Sequence, residues 1–460
     1  MSDAGVIARM GLSAAAALAA TVAVILLLGP ISRRIGLLDH PKGRKDHALP
    51  TPVSGGLAIA AGVAVALGVF WPPSPPVIGL AIAAFILIVV GVLDDLRDVP
   101  WGYRIVAQVA AATAIIMIGN VRVQNLGPIT GFGPFHLGAF AAPFTIIATV
   151  GLINAFNMCD GVDGLAGSLA LCAFAMLGAA ALYSGNPELL WQLVVMAGAV
   201  GGFLLFNLRS PWRPRASVFL GNSGSALVGL LVAWASFRLT QNAGHPVKPV
   251  LAPFFIAVPV IDCLVVMGRR LARGRSPFSA DHGHLHHMLL QAGFRPTDIV
   301  VGLCASALVI GFGAAMVLHA GVGPSWFVVA FAAITTGYFV VSRTPAKTAQ
   351  LLAAWRQPAP RPAPAPAGPV APIRAGGRAS AVYLPPLQPA ARELAAHPLA
   401  RGRADEMVLF GGLAEPADEE SGYAEFADAI DSRDEEPIFA TRTPAQLLRD
   451  FAQKRARPDA

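Results

Sequence analysis

Charged side chains are scarce in this chain of 460 residues. Asp, Glu, Lys and Arg make up 13% of it and apolar residues 55%, against about 25% and roughly 45–50% in soluble domains. This shortage argues against an ordinary soluble protein and indicates that lipid surrounds most of the chain. No basic stretch carries interleaved stacking aromatic residues, so the net charge of +7 does not favour nucleic-acid binding.

Cysteine is also rare. The cysteines lie within or beside apolar runs and form no CxxC pair: Cys159, Cys172, Cys263 and Cys304. The pattern argues against a disulfide framework or a cysteine zinc site, and it favours reduced, structural thiols.

Long apolar runs, in contrast, recur through the first three quarters of the chain. Their lengths are near the roughly 20 residues that cross a bilayer as a helix. They lie near 8–29, 54–70, 77–93, 104–119, 140–157, 164–184, 189–207, 222–240, 250–267, 298–319 and 324–342. The sequence therefore predicts an all-α, polytopic membrane protein of about eleven transmembrane helices.

Basic residues predict the orientation, because positive charge is retained on the cytoplasmic side. Only Arg9 precedes the first run, whereas several basic residues follow it: Arg33, Arg34, Lys42, Arg44 and Lys45. The N-terminus is therefore expected outside and the C-terminus in the cytoplasm.

The composition changes at residue 346. A Pro- and Ala-rich stretch, QPAPRPAPAPAG, is followed by an acidic one, ADEESGYAEFADAIDSRDEEP. Neither has enough apolar surface to build a core. We divide the chain into a membrane domain, 1–345, and a disordered cytoplasmic tail, 346–460.

Acids at the ends of apolar runs are the first candidates for a functional site, because charge near hydrocarbon is costly. Asp94 and Asp95 close one run. Adjacent carboxylates can hold a divalent cation or share a proton, and a helix cap is the alternative. On the next run, Arg104 and Gln108 lie one helical turn apart and can face the same cleft.

The stretch INAFNMCDGVDGL, residues 153–165, gives the strongest signal. Its polar residues are three apart and cannot share one face of an unbroken helix: Asn154, Asn157, Asp160 and Asp163. Gly161 and Gly164 predict a break that lets the four converge, with helix capping as the alternative. Their oxygens are the hard ligands that Mg²⁺ prefers, and such a metal usually also binds substrate phosphates.

Two glycine-containing loops are suited to anions. DHPKGRKDHALPTPVSGG, residues 39–56, contains Lys45 and His47, although such basic loops also serve topology alone. VFLGNSGSALVG, residues 218–229, opens a run whose first backbone N–H groups can hold an anion, with helix packing as the alternative.

A histidine-rich loop, RSPFSADHGHLHHMLLQAG, spans residues 275–293 and includes His284, His286 and His287. Donors to an anionic substrate, a zinc site and a solvated loop all stay open here. Taken with the acids, the loops indicate phosphoryl transfer to a membrane lipid. An ion-coupled transporter would instead place its acids near the bilayer midplane.

In these motifs the chain resembles the polyprenyl-phosphate N-acetylhexosamine-1-phosphate transferases of glycosyltransferase family 4, and within them the bacterial undecaprenyl-phosphate GlcNAc-1-phosphate transferase branch. The matching segments are RKDHALPTPVSGG, GVLDDLRD, NAFNMCDGVDGLAGS, FNLRSPWRPRASVFLGNSGS and PVIDCLVVMGRRLARGRSPFSADHGHLHH. The resemblance implies an enzyme of the bacterial inner membrane, with a cytoplasmic active site and dependence on Mg²⁺ or Mn²⁺. It also implies transfer of GlcNAc-1-phosphate from UDP-GlcNAc to undecaprenyl phosphate, with release of UMP. UDP-MurNAc-pentapeptide is the rival donor, and homodimerisation stays open.

The candidate residues fall into three groups. Catalytic acids are Asp94, Asp95, Asp160 and Asp163. The substrate-binding candidates are Lys45, His47, Arg104, Asn154, His284, His286 and His287. The metal-binding candidates are Asn157 and Asn222.

Two positions depart from the family pattern. The family has aspartate in its GDxGS motif where this chain has Asn222, and arginine where this chain has His282. A carboxamide keeps an oxygen for a hard cation but loses a negative charge, so metal affinity should fall. We predict a transferase with a weakened or metal-selective site. A catalytically inactive, lipid-binding scaffold is the alternative.

Overall fold

The computed structural model describes residues 3–39, 50–242, 244, 247–277 and 283–355. Within these ranges the chain is helical apart from loops and one two-stranded sheet. The helices are α1 (Asp3–Ile35), α2 (Gly55–Phe70), α3 (Pro75–Arg97), α4 (Trp101–Met117), α5 (Ala141–Cys159), α6 (Leu165–Tyr183), α7 (Pro187–Asn207), α8 (Gly221–Thr240), α9 (Ala252–Phe255), α10 (Ala257–Ala272), α11 (Leu285–Gln291), α12 (Pro296–His319), α13 (Pro324–Val341) and α14 (Pro345–Trp355). In the sheet, β1 (Leu38–Asp39) pairs antiparallel with β2 (Thr51–Pro52), with Leu38 opposite Pro52.

The predicted all-α, polytopic membrane class is confirmed, but the predicted count of about eleven transmembrane helices exceeds the eight, or at most nine, candidate spans of the described residues. Among the described residues, eight helices are long and apolar enough to cross a bilayer: α1, α3, α5, α6, α7, α8, α12 and α13. The bent pair α9 and α10 supplies one broken span, and α2 and α4 are shorter apolar helices. Each of these units coincides with one of the predicted apolar runs.

The chain bends by 81° between α9 and α10, where the sequence predicts one span over 250–267. Ile256 has non-helical dihedral angles at the junction. Pro253 and Pro259 flank it, and neither has a backbone N–H for a continuous helical ladder. The bend directs α10 toward the end of the bundle that holds the histidine-rich loop.

Helix α8 lies at the centre of the bundle and packs against α2, α3, α5, α6 and α7. Of its most apolar 18-residue window, 94% is buried, and its mean hydropathy of 1.2 is the lowest among the eight candidate spans. Glycines allow its neighbours to come close. A Cβ added to Gly91 of α3 would overlap Ser223, and one added to Gly56 of α2 would overlap Gly224.

Those candidate residues that the structure describes collect at one end of the bundle, which we call the site end. Helices joined by short loops run antiparallel, so the C-terminal ends of α3 and α5 meet the N-terminal ends of α4 and α8 there. Helix α14 extends past residue 345 and packs on α11. The remainder of the predicted tail, 356–460, lies outside the described residues, and the domain division stays a prediction.

Candidate active site

A cavity of about 290 Å³ lies at the site end, between α3, α4, α5, α8 and the segment that leads into α11. Its apolar side is formed by residues such as Leu87, Trp101 and Ile105. We call its polar lining residues the cavity wall: Asp94, Arg104, Gln108, Asn154, Asn157, Asn222, Arg270 and His284. The cavity thus joins an apolar surface to a concentration of charged and amide groups.

Asp94 and Arg104 form an ion pair on this wall. The buried carboxylate accepts a hydrogen bond from Arg104 Nη1 at 3.1 Å and another from the backbone N–H of Val99 at 2.8 Å. The Arg104 side chain remains 38% exposed. As predicted, Arg104 and Gln108 face the same cleft.

Asp95, the next residue, is not among the cavity-lining residues. Its carboxylate accepts hydrogen bonds from the backbone N–H groups of Asn222 at 2.8 Å and Ser223 at 3.3 Å, and from Ser223 Oγ at 2.9 Å. Helix α8 has no side-chain cap of its own, and the first N–H groups of a helix lack intrahelical partners. Asp95 therefore caps α8 from α3, and it is the anion at the predicted anion-binding helix start.

Gly221 makes this capping geometry accessible. Its φ is +75°, a backbone conformation that side chains disfavour. An added Cβ would overlap Val53 and would lie 2.7 Å from Asp95 Oδ2. Only glycine fits both the backbone angle and the space.

A row of carboxamides connects α4, α5 and α8 across the cavity. Asn154 Nδ2 donates to Gln108 Oε1 at 2.7 Å. Asn157 Nδ2 donates to Ser225 Oγ at 2.8 Å and to Asn222 Oδ1 at 3.2 Å. The two predicted metal ligands, Asn157 and Asn222, are therefore in direct contact.

The helix break predicted after these asparagines is confirmed. Helix α5 ends at Cys159, α6 begins at Leu165, and Gly164 takes a φ of +83° between them. The break does not bring all four polar residues of the stretch to one point, however. Asn154 and Asn157 line the cavity, whereas the two acids beyond the break do not.

Asp163 is held by an ion pair. Its Oδ2 accepts from Arg209 Nε at 2.7 Å and from the backbone N–H of Ala216 at 3.2 Å. It thereby fixes the loop between α7 and α8. Its contacts are those of a residue that holds segments together, and its catalytic role stays a prediction.

Asp160 caps the C-terminal end of α5 and is half-buried. Burial, followed by repulsion from Asp163 and Asp95, raises its pKa to about 7. The Asp160 carboxyl group is therefore partly protonated near neutral pH, and a cation bound nearby would favour its ionised form.

His284 is the histidine that reaches the cavity. Its Nδ1 lies 2.8 Å from Asp262 Oδ2, and its Nε2 lies 3.4 Å from Arg270 Nη2. His286 instead faces the turn after α5, where a Cβ on Gly161 would overlap its ring. Burial and the neighbouring histidines lower the pKa of His286 to about 3, which keeps it neutral.

His287 is not a cavity-lining residue and packs beside His286, with ring centroids 4.3 Å apart. In the described part of the chain, no group of three His, Cys, Asp or Glu residues suits a metal ion. Lys45, His47 and His282 lie outside the described residues, and their roles stay predictions.

The cavity wall nonetheless fits Mg²⁺. Mg²⁺ takes oxygen ligands and usually keeps waters and substrate phosphates, so it needs only one or two oxygens from the protein. The amide oxygens of Asn157 and Asn222 are hard donors, and Asp94 lines the same cavity.

Sequence reasoning missed three residues at this site. Arg270, which is in none of the predicted groups, lines the cavity. Asp262 and Tyr338 lie behind His284, with Tyr338 Oη 2.9 Å from Asp262 Oδ1. The signal for Asp262 was its position as a lone acid in the apolar segment PVIDCLVV, where an unpaired charge would be costly.

Comparison with known proteins gives a consistent result. The family model described as Glycosyl transferase family 4 matches residues 77–240, from α3 to the end of α8. The chain is 34% identical over 280 residues to an undecaprenyl-phosphate alpha-N-acetylglucosaminyl 1-phosphate transferase of Escherichia coli O157:H7, covering 60% of this chain and 76% of that protein. It is 33% identical over 292 residues to the protein of that name from Yersinia pestis, covering 63% and 79%. For Haemophilus influenzae the identity is 31% over 293 residues, covering 62% and 82%.

Proposed function

This chain belongs to glycosyl transferase family 4, and on that premise we propose that it transfers GlcNAc-1-phosphate from UDP-GlcNAc to undecaprenyl phosphate and releases UMP. The observation that carries the proposal is the cavity at the site end. There, Asp94, two arginines and a row of carboxamides meet an apolar surface. An acceptor with a phosphate on a long hydrocarbon chain needs both kinds of surface in one place.

The cavity wall supplies positioning and charge compensation. Arg104 and Arg270 lie where they offset the negative charge of an acceptor phosphate and a donor diphosphate brought together. Asp94 holds Arg104 in place and can accept a proton from a singly charged acceptor phosphate. An acceptor oxygen then bonds to the sugar-linked phosphorus, and the bond from that phosphorus to UMP breaks, so that UMP leaves with the electron pair.

Asn157 and Asn222 would hold Mg²⁺ or Mn²⁺ in this reaction. A bound divalent cation offsets charge between the two phosphate groups as they approach each other. A neutral carboxamide attracts such a cation less than a carboxylate does. The arginines of the cavity wall therefore carry more of the charge compensation than they would beside an aspartate at position 222.

We also propose that the site end faces the cytoplasm of a bacterial inner membrane. The loops at this end and the last turn of α10 carry a cluster of basic residues: Arg209, Arg213, Arg215, Arg269, Arg270, Arg273 and Arg275. Positive charge favours the cytoplasmic side, where a sugar nucleotide is available.

Release of UMP by the purified full-length chain tests this function. The assay contains UDP-GlcNAc, undecaprenyl phosphate and a titration of Mg²⁺ or Mn²⁺. We expect lipid-dependent UMP release from the native chain. UDP-MurNAc-pentapeptide replaces UDP-GlcNAc in a parallel assay, and activity with that donor alone would contradict the proposed sugar.

Asn222→Asp tests the metal role. The new carboxylate would accept from Asn157 Nδ2 and would lie at the start of α8, where negative charge is favoured. We expect the Mg²⁺ concentration for half-maximal activity to fall about tenfold, equivalent to ~1.4 kcal/mol. Asn242→Asp, beyond the opposite end of α8, is the matched control and should leave the Mg²⁺ titration unchanged.

The two variants also separate the transferase from the scaffold hypothesis. A silent native chain with an active Asn222→Asp variant would identify a transferase scaffold disabled at one ligand. Equal metal dependence in the native chain, Asn222→Asp and Asn242→Asp would contradict the metal role of position 222. Binding of undecaprenyl phosphate without UMP release by any variant would contradict the proposed reaction.

A further inference from the structure

A buried acid and a distant tyrosine meet behind His284. Asp262 of α10 is 3% exposed. Its Oδ2 lies 2.8 Å from His284 Nδ1, and its Oδ1 accepts from the backbone N–H of Leu285 and from Tyr338 Oη, each at 2.9 Å. Three segments of the chain, α10, α11 and α13, therefore converge on one carboxylate.

The other ring nitrogen of His284, Nε2, is turned toward the Arg270 guanidinium. Arg270 Nη2 lies 3.4 Å from His284 Nε2, and both residues line the cavity. A guanidinium can only donate hydrogen bonds, so Nε2 accepts. The ring proton must then be on Nδ1, where it is donated to Asp262. The geometry selects one neutral tautomer.

We propose that Asp262 and Tyr338 are positioning residues that fix His284 as the neutral tautomer protonated on Nδ1. Nε2 then faces the cavity as a hydrogen-bond acceptor, and it holds Arg270 in place for an anionic substrate group. The inference rests on the proposed function, which brings phosphate groups into this cavity. Neither Asp262 nor Tyr338 needs to touch the substrate.

The contacts around His284 support this tautomer. A ring proton on Nε2 would point at the Arg270 guanidinium. The rings of His286 and His287 lie 5.6 and 6.3 Å from that of His284 and supply no negative charge. The Tyr338 hydroxyl donates to Asp262 Oδ1 and leaves Oδ2 for the proton on His284 Nδ1.

A second contact, made by Arg269, also connects the end of α13 to this arrangement. Arg269, which precedes Arg270, donates to the backbone carbonyl of Ser342 at 2.6 Å and to that of Gly283 on the opposite side. The end of α13 and the residue before His284 are therefore held by one guanidinium. The contacts of α13 position the histidine from outside the region that the family model matches.

Two substitutions test the inference through the KM for UDP-GlcNAc. Tyr338→Phe removes one of the hydrogen bonds that hold Asp262, so KM should rise by about 2- to 10-fold, the loss expected for one hydrogen bond. Asp262→Asn removes the carboxylate that takes the Nδ1 proton, so kcat/KM should fall by about 10- to 100-fold. That loss should appear mainly as a higher KM for UDP-GlcNAc.

Tyr183→Phe is the matched control, because Tyr183 Oη contacts His319 Nδ1 at 3.2 Å at the opposite end of the bundle. It should leave the KM for UDP-GlcNAc and the His284 tautomer unchanged. Nitrogen NMR of histidine-labelled full-length protein reads the His284 tautomer directly. The native protein should show the proton on Nδ1, and Asp262→Asn should show a mixture of both tautomers.

An Asp262→Asn variant with the native KM for UDP-GlcNAc, or a native tautomer protonated on Nε2, would overturn the inference. If Asp262→Asn does not fold, the KM of Tyr338→Phe and the native tautomer still decide. The NMR readout needs no turnover. A native chain with the expected tautomer but no UMP release would refute the proposed function alone.

Discussion

The cavity wall and the frame behind it use the same residue types for different purposes. By the frame we mean Asp95, Asp163 and Asp262, three acids that lie behind or beside the wall. Each accepts a backbone N–H from a segment distant in sequence, and so holds two parts of the chain together. Among the described residues, Asp94 on the wall accepts hydrogen bonds only from the nearby backbone N–H of Val99 and from Arg104, whose side chain remains partly exposed.

The difference teaches that a motif and a site are not the same set of residues. Asp94 and Asp95 are neighbours in one motif, yet one lines the cavity and the other caps α8. Substitution of a wall residue should lower activity with little effect on folding. Substitution of Asp95 or Asp163 should lower stability first and activity through it, whereas Asp262 also acts on activity through the position of His284.

The largest effect is expected where frame and wall meet, at Gly221. Gly221→Ala places a side chain at a φ of +75° and against Val53 and Asp95. We expect loss of the α8 cap and of activity, measured by UMP release and by thermal unfolding. Gly36→Ala is the matched control, because Gly36 has a φ of +76° with nothing within 4 Å of an added Cβ. Gly36→Ala should lower the unfolding free energy only by the cost of the backbone conformation, about 1–2 kcal/mol. Equal losses of stability in both variants would show that the overlap with Val53 and Asp95 does not matter.

The next effect separates the adjacent acids. Asp94→Asn should lower kcat/KM by about 100- to 1,000-fold, within the range for a positioned acid-base group, while the thermal midpoint changes little. Asp95→Asn replaces an anion at the start of α8 by a neutral amide. It should lower the unfolding free energy by about 1–3 kcal/mol. If Asp94→Asn were the less stable and more active variant, the assignment of wall and frame would be reversed.

The smallest effect is expected at Asp163. Its ion pair with Arg209 is partly exposed, at 14% and 29%, so Asp163→Asn should lower the unfolding free energy by about 1 kcal/mol or less. UMP release should stay within about threefold, equivalent to ~0.7 kcal/mol. Asp298→Asn, which breaks the exposed pair with Arg295, is the control and should change neither quantity. A loss of activity in Asp163→Asn as large as that in Asp94→Asn would show that Asp163 acts in the reaction as the wall residues do.

Hydropathy was enough to place the spans, because each apolar run must hide its backbone in a helix to cross lipid. The glycines at 161 and 164, with the spacing of the polar residues before them, were enough to place the break. The bend at Ile256 was not visible, because the run around it is apolar on both sides. Prolines within such a run allow a kink but do not require an 81° one.

The sequence predicted which motifs form the site, but not which residues of each motif face the cavity. Asp94 and Asp95 differ by about 100° around α3, and only the positions of α4 and α8 decide which acid meets the cavity. The partners of His284 lie far along the chain, with Tyr338 beyond the last motif. Asp262 alone carried a readable signal, as a charge in an apolar run, but its partner was not identifiable from spacing.

Helix α8 has a consequence for how this protein is made. Its hydropathy is the lowest of the candidate spans because almost every side chain meets protein and not lipid. It can therefore carry polar groups such as Ser223, Ser225 and Ser236. A helix of this kind partitions poorly into a membrane alone. During biosynthesis, α8 should therefore depend on contacts with earlier helices, such as α3 and α5, to enter the bilayer. The helix that carries Asn222 would then insert only after those helices are in place.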